Sequence, residues 1–262
     1  MTKPIRGQIL PSPLSRCLTS SLGFNHTALP APSSANPLGN PRYPGWTSAN
    51  GPNWVDFLTV AYNASLLQTY NLASGGATVD SALVKPYKDT VLSLWEQVND
   101  VFLPFYAGSK PRAAAVPAWR GADTLFAVWI GINDVGNSHF QGEEATTKLN
   151  ARIFAVYRDA VARLYAAGAR HFLFLNVPPV DRSPLAIGQG PAAQEGEKRA
   201  VLAFNREVEA LARGVGQGAK DGANVWLLDT YELFSKVLDD PRAFEATKGY
   251  RNVTGFCEAY QK

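Results

Sequence analysis

One apolar stretch, residues 127–134, limits the possible folds of this chain more than any other. Its sequence, Ala-Val-Trp-Ile-Gly-Ile-Asn-Asp, changes abruptly from apolar residues to Gly131, Asn133 and Asp134. A short apolar run that is bounded by turn residues is typical of a buried strand. Ligands of open α/β sheets bind beyond the carboxyl ends of the strands, so this strand would bring Asn133 to a cleft. There its amide could donate to a developing oxyanion, or it could, with Asp134, only form the turn.

Strand patterns alternate with amphipathic helix patterns along the rest of the chain. The strand patterns lie at residues 66–73, 127–130, 172–177 and 225–228, and the helix patterns at 53–62, 90–103, 145–167, 197–215 and 230–238. Asn53 is the expected N-cap of the first helix, Pro104 is expected to close the second, and Gly168 to end the third. This order predicts an α/β fold with a parallel sheet that helices cover on both faces.

The composition is typical of a globular domain. The chain has 262 residues, of which 46% are hydrophobic and 18% charged, and its net charge is +3. This length suits one α/β domain or at most two small ones, with enough apolar residues for a packed core. The Lys and Arg residues are scattered and no apolar stretch is long enough to span a bilayer. We therefore expect neither a nucleic-acid nor a membrane partner.

The first fifty residues are poor in regular patterns. Residues 1–22 contain three prolines and no apolar core of the length that a signal peptide needs. Residues 23–52 are rich in Pro, Gly, Asn and Ser, which predicts a long loop. Tyr43 and Trp46 in this loop could stack on a sugar or anchor the loop, and anchoring is the favoured interpretation.

Sequons and cysteines bear on the compartment in which the protein works. Sequons for N-glycosylation begin at Asn25, Asn63 and Asn252, which favours secretion, whereas residues 1–22 do not. Cys17 and Cys257 could pair or remain free, and a disulfide would need their Cα atoms within about 7 Å.

Three motifs at the ends of predicted strands occur in a characteristic order. They are Asn-Leu-Ala-Ser-Gly-Gly-Ala at residues 71–77, Ile-Gly-Ile-Asn-Asp at 130–134 and Phe-Leu-Asn-Val-Pro-Pro at 174–179. Together they resemble the SGNH, or GDSL-type, hydrolases. The stretches 36–54, 177–183 and 252–260 are similar to the fungal secreted branch that deacetylates carbohydrates. The resemblance spans residues 23–260.

This resemblance implies a fold, a reaction and two site residues. The fold is a three-layer α/β/α sandwich with a flavodoxin-like parallel sheet, here incomplete, and the reaction is ester hydrolysis by a Ser-His-Asp triad. The backbone N–H of Gly76 and the side-chain amide of Asn133 would be two of three oxyanion donors, each typically worth about 3 kcal/mol. The implied substrate is a small acyl ester or an acetylated oligosaccharide, and no metal or other cofactor is implied. The implied protein is an extracellular monomer.

The sequence departs from the family pattern at the nucleophile and at the general base. Counting back from Gly-Phe-Asn at residues 23–25 places Arg16, Cys17 and Leu18 where the family has Gly-Asp-Ser. The family's Asp-x-x-His motif would follow residues 256–260, and no histidine of this sequence lies in such a motif. His139 is expected to be a solvated loop residue and His171 a structural one.

Other nucleophiles near the expected position lack a recognisable partner. Ser20 and Ser21 are nearby hydroxyls, but each would need a base within hydrogen-bonding reach. Cys17 would need a neighbour that stabilises its thiolate. From the sequence, neither a base nor such a neighbour is evident.

Two interpretations of these departures follow from the sequence. We expect an irregular segment at residues 1–22 and an SGNH-hydrolase-like domain at residues 23–262 that lacks the first strand and the Asp-x-x-His segment. The favoured hypothesis is a truncated or misannotated esterase with little or no turnover. The alternative is a non-catalytic carbohydrate-binding or regulatory protein on the same scaffold. Acyl transfer between sugars has no distinguishing feature in the sequence.

Overall fold

A parallel sheet lies at the centre of the described structure. The computed structural model describes residues 20–47, 49, 51–107, 119–219 and 222–255. Strand β1 is Leu125–Trp129, β2 is His171–Leu175 and β3 is Asn224–Leu228. They lie in the order β1-β2-β3, with Leu125 opposite His171 and His171 opposite Asn224. The predicted strands in these three regions are confirmed, with slightly shifted bounds.

Helices connect and cover the strands. Within the described ranges they are α1 (Trp54–Val60), α2 (Leu94–Glu96), a π-helical segment (Gln97–Phe102), α3 (Leu103–Tyr106), α4 (Ile132–Gly136), α5 (Glu143–Ala166), α6 (Pro184–Gln189), α7 (Pro191–Gly218) and α8 (Thr230–Asp239). Asn53 is the N-cap of α1 as predicted, since its side chain accepts from the backbone N–H of Val55 at 2.9 Å. Among all the residues that the structure describes, none of the helices could span a lipid bilayer.

One face of the sheet packs against α5, α7 and the π-helical segment. Phe126 of β1 lies edge-on to Phe102, with ring centroids 5.4 Å apart. Phe174 of β2 lies 6.2 Å from Tyr157 of α5, and both side chains are fully buried. Burying such a side chain stabilises the fold by about 1.5–3 kcal/mol. This face contains most of the hydrophobic core.

Among the described residues, α1 covers the opposite face near β1, and the side chains of β3 on that face are partly exposed. Trp129 at the end of β1 packs against Trp54 of α1, with ring centroids 5.9 Å apart. On β3, Trp226 and Leu228 remain 47% and 43% exposed. Helices on both faces of a parallel sheet confirm the predicted α/β architecture.

Two sequence predictions about regular elements are wrong. Residues 66–73 form no strand in the structure: among the described residues, the one backbone–backbone hydrogen bond of this stretch runs from Thr69 to the Pro37 carbonyl at 2.8 Å, and a strand needs a continuous hydrogen-bonded neighbour. Pro104 does not close the second helix but lies in the first turn of α3. The helical path continues there because proline is tolerated in a first turn.

The long loop before α1 is held in place by its own polar groups. The Asn40 amide donates to the carbonyls of Asn25, Ala28 and Pro30 at 3.0–3.1 Å. The backbone N–H of Trp46 donates to Leu22 at 3.0 Å, whereas its ring stays 77% exposed. The backbone of Trp46 therefore anchors the loop, and its ring, although largely exposed, lies against Gly23.

Candidate active site

A glycine turn places Asn133 at the carboxyl end of β1. Gly131 has φ +120°, a conformation that L side chains rarely adopt, and α4 begins directly after it. A Cβ at this position would lie 2.3 Å from Cε1 of Phe204. The chain can therefore turn this tightly only because residue 131 is glycine. Asn133 is thereby buried in the first turn of α4, with 3% of its surface exposed.

The two predicted oxyanion donors lie on loops that touch each other. The Asn133 Nδ2 donates to the Ala77 carbonyl at 2.7 Å, and Gly76 directly precedes Ala77 with φ +105°. A side-chain amide nitrogen carries two N–H groups, so Asn133 has a second N–H besides the one that bonds to Ala77. The structure thus brings Gly76 and Asn133 together, and their role as donors to an ester oxygen stays a prediction.

Asp134 forms a second connection between the same two loops. Its carboxylate accepts from the backbone N–H of Val79 at 3.1 and 3.2 Å, and the side chain is 1% exposed. Burial raises the pKa of Asp134 to about 7, although the bond from Val79 opposes the rise. Asn133 and Asp134 therefore fix the backbone at residues 77 and 79, which is more than the turn-forming role considered from the sequence.

Asn176, which belongs to the third sequence motif, forms hydrogen bonds that connect two strand ends to the start of α8. Asn176 follows β2, and its Nδ2 donates to Asp229 at 2.9 Å while its Oδ1 accepts from the N–H of Thr230 at 2.7 Å. Its carbonyl accepts from the indole of Trp129 at 2.9 Å. Asn176 thus joins the ends of β1 and β2 to the start of α8. The sequence indicated the motif but not this network, which depends on residues 47 to 54 positions away.

The histidines of the chain are each engaged in local packing. His139 is half-buried in a short 3₁₀ turn between α4 and α5, with Nδ1 3.2 Å from the Val135 carbonyl, so it is only partly open to solvent. His171 lies on β2 with Nδ1 2.9 Å from Nδ2 of Asn224, as expected of a structural residue. His26 packs against an aromatic ring of α3, and burial lowers its pKa.

Two serines were possible substitutes for the nucleophile, and the hydroxyl of one of them, Ser20, has a structural role. Ser20 is fully buried, and its Oγ accepts from the Trp54 indole at 2.9 Å. The Ser21 carbonyl accepts from Nδ2 of Asn53 at 3.2 Å. In the described part of the chain, neither serine has a histidine among its hydrogen-bond partners. The remaining residues considered at this position and the cysteines lie outside the described residues: Arg16, Cys17, Leu18 and Cys257.

Sequence comparison identifies the family. The chain matches the GDSL-like Lipase/Acylhydrolase family over residues 22–257. It belongs to that family. An acetylesterase from Thermothelomyces thermophilus is 39% identical over 87% of this chain and 72% of that protein. A thermolabile hemolysin from Vibrio parahaemolyticus is 26% identical, and a GDSL esterase/lipase from Arabidopsis thaliana is 27% identical. The chain spans 43% and 52% of the lengths of these two proteins.

Structure comparison agrees with the α/β fold. A mutant of an acetyl-xylooligosaccharide esterase from a Geobacillus species superposes with a TM-score of 0.50 and 17% identity. The match covers 97% of this chain and 90% of that one. At this identity, the likeness supports the fold assignment alone.

Replacing Asn133 by Ala is expected to lower the free energy of unfolding by about 1–3 kcal/mol, because the buried Ala77 carbonyl loses its partner. Urea denaturation measures this change. Asn137→Ala is the matched control at the other end of α4, since Asn137 is the exposed C-cap and donates to the Lys85 carbonyl at 3.2 Å. Its cost should stay within about 0.5 kcal/mol. Equal costs for the two variants would show that Asn133 does not hold the Gly76 loop.

Proposed function

We propose that this GDSL-family protein acts on carboxylic esters, and specifically on acetyl esters of carbohydrates. The supporting observation is the 2.7 Å hydrogen bond between Asn133 and Ala77, which holds the Asn133 amide beside the Gly76 turn. The acetyl group is suggested by the 39% identity to an acetylesterase. The carbohydrate is suggested by the sequence motifs that resemble the deacetylating branch of the family.

The proposed mechanism assigns polarisation of the ester to these two residues. An ester carbonyl oxygen placed between the Gly76 N–H and the Asn133 amide gains negative charge as its carbon becomes tetrahedral. Donors that are already fixed in place stabilise that charge, by about 3 kcal/mol each. Attack on the carbon needs a nucleophile, and at the family position for serine this sequence has Leu18. We therefore expect this chain to bind acetyl esters with little turnover.

Non-catalytic carbohydrate binding is the second candidate function. It is favoured by Leu18 at the nucleophile position and by Ser20, whose hydroxyl is buried against Trp54. On this alternative the cleft keeps Gly76 and Asn133 for contacts with an acetyl group, and the bound ester is released unchanged.

Binding and hydrolysis measured side by side test the proposal. Calorimetric titration with acetylated xylo-oligosaccharide should show binding that the deacetylated oligosaccharide lacks. Hydrolysis of p-nitrophenyl acetate is followed in parallel. Slow turnover that is lost in Asn133→Ala would support the hydrolase of low activity, and acetyl-dependent binding with no detectable turnover would support the binding protein. Equal affinity for both oligosaccharides, without turnover, would reject both.

We also propose that the protein is an extracellular monomer with glycans at two of its sequons. Asn25 and Asn252 are exposed, and each accepts from the threonine hydroxyl of its own sequon, at 2.8 and 3.2 Å. Asn63 instead donates its amide to the Thr59 carbonyl at 2.6 Å. Treating secreted protein with an endoglycosidase should remove glycan mass from Asn25→Gln and Asn252→Gln single variants but none from the double variant. Size-exclusion chromatography of the product tests the monomer.

A further inference from the structure

An exposed aromatic ring lies against the predicted oxyanion glycine. The position that a Cβ of Gly76 would occupy is 2.3 Å from Cε1 and 2.7 Å from Cδ1 of Tyr87. The ring edge therefore touches the backbone of Gly76. The rest of the side chain extends into solvent, since 65% of Tyr87 is exposed.

The loop that holds Tyr87 is fixed to both halves of the candidate site. The Thr78 hydroxyl donates to the Val84 carbonyl at 2.8 Å, which ties the loop to the Gly76 turn. The Asn137 amide donates to the Lys85 carbonyl at 3.2 Å, which ties it to α4. Tyr87 thus has a defined place relative to both Gly76 and Asn133, although its ring is largely open.

A ring in this place has a clear chemical use. A single exposed aromatic side chain on a protein surface needs no explanation, but one that borders the predicted oxyanion loop can contact whatever that loop binds. Aromatic faces offer a flat apolar surface, and the C–H groups of a pyranose ring present a matching one. The Lys88 ammonium lies over one face of the Tyr87 ring, 5.6 Å from its centroid, and adds a donor for the hydroxyls of a sugar stacked on the other face.

We propose that Tyr87 is a specificity-determining residue whose ring stacks on the sugar that bears the acetyl ester. The inference rests on the proposed function, because it assumes that the acetyl carbonyl binds between Gly76 and Asn133. With the acetyl group there, its sugar is the part of the substrate nearest the exposed ring. Tyr87 therefore favours acetylated sugars over acetate esters of small alcohols.

Tyr87→Ala tests the inference with two ligands. Acetylated xylo-oligosaccharide is measured by calorimetry and ethyl acetate, which has no sugar, by saturation-transfer NMR. We expect Tyr87→Ala to weaken oligosaccharide binding about fivefold to tenfold, the range of a stacked aromatic contact, and to leave the ethyl acetate signal unchanged. Tyr87→Phe should bind within about twofold of wild type, because the face is retained.

Two controls separate stacking from support of the loop. Tyr87→Leu keeps an apolar side chain against Gly76 without the aromatic face, so it should weaken the oligosaccharide as Tyr87→Ala does. Tyr250→Ala removes a tyrosine that is 59% exposed elsewhere and should change nothing. Thermal melting of each variant verifies that it is folded.

The outcomes distinguish failure of the inference from failure of the proposed function. If Tyr87→Ala and Tyr87→Leu bind the oligosaccharide as tightly as wild type, and Asn133→Ala weakens binding of either ligand, the role of Tyr87 is overturned. The proposed function is not affected by that result. An equal loss of both ligands in Tyr87→Ala would also overturn the role of Tyr87, because the ring would then support the Gly76 loop. If neither ligand binds wild type, the proposed function and the inference both fail.

Discussion

The variant Gly131→Ala is expected to lose about 3–5 kcal/mol of unfolding free energy, the largest cost of any single substitution at the site. Two effects act together at this position. A φ of +120° is strained for alanine, and the added Cβ would lie 2.3 Å from Cε1 of Phe204 and 2.9 Å from Cγ2 of Val177. Phe204 cannot move away easily, because it is fully buried, with its ring 4.7 Å from that of Phe154.

Gly136→Ala is the matched control for this substitution. Gly136 lies in α4 and a Cβ there would meet nothing within 4 Å. Alanine is the better helix former by up to about 1 kcal/mol, so this variant should be as stable as wild type or slightly more stable. Urea denaturation of wild type, Gly131→Ala and Gly136→Ala measures the change in unfolding free energy for each variant. A cost below about 1 kcal/mol for Gly131→Ala would contradict the tight turn that positions Asn133.

The pH dependence of stability should change markedly in Asp134→Asn. Burial raises the pKa of Asp134 to about 7, and the nearby Asp80 adds to the rise. In the unfolded chain the pKa returns to about 3.9, so the folded state holds this proton more tightly. Stability from this group is therefore fully present below pH ~4 and is lost as the pH rises through ~7. Between pH 4.5 and 8, the free energy of unfolding of wild type should fall by about 1–3 kcal/mol relative to that of Asp134→Asn.

The comparison with Asp134→Asn separates the effect of Asp134 from that of other carboxyl groups whose pKa is also raised. Burial also raises the pKa of Asp56, to about 6, and that of Asp181. Both groups are present in wild type and in the variant, so their contributions cancel in the difference. Urea denaturation at several pH values gives the two profiles. Parallel profiles would mean that Asp134 is ionised in the folded protein throughout this range.

Those parts of the fold that depend on local sequence could be predicted. The cap of α1 at Asn53 and the strand β1 follow from residues within a few positions of each other. The predicted strand at residues 66–73 failed because a strand depends on a partner that local sequence does not reveal. The prediction that Pro104 closes a helix is wrong because a proline can close one helical turn or begin another. Only the surrounding backbone decides between these two positions.

The candidate site was predictable as a set of loops and not as a network. Gly76 and Asn133 were identified by their motifs, and the structure places their loops in contact. Asp134 and Asn176 hold partners 53 to 55 positions away, which no spacing in the sequence indicates. The contact of Tyr87 with Gly76 crosses an irregular loop, whose path follows from side-chain hydrogen bonds and not from periodicity.

Carbon-13 NMR of a bound ester tests the central claim most directly. Acetylated xylo-oligosaccharide that is labelled at the acetyl carbonyl would be added to wild type and to Asn133→Ala, both verified as folded. If Gly76 and Asn133 donate to the carbonyl oxygen, the labelled resonance should move downfield on binding to wild type and move less on binding to the variant. The same carbonyl shift in both complexes would contradict the claim that these loops form an oxyanion site.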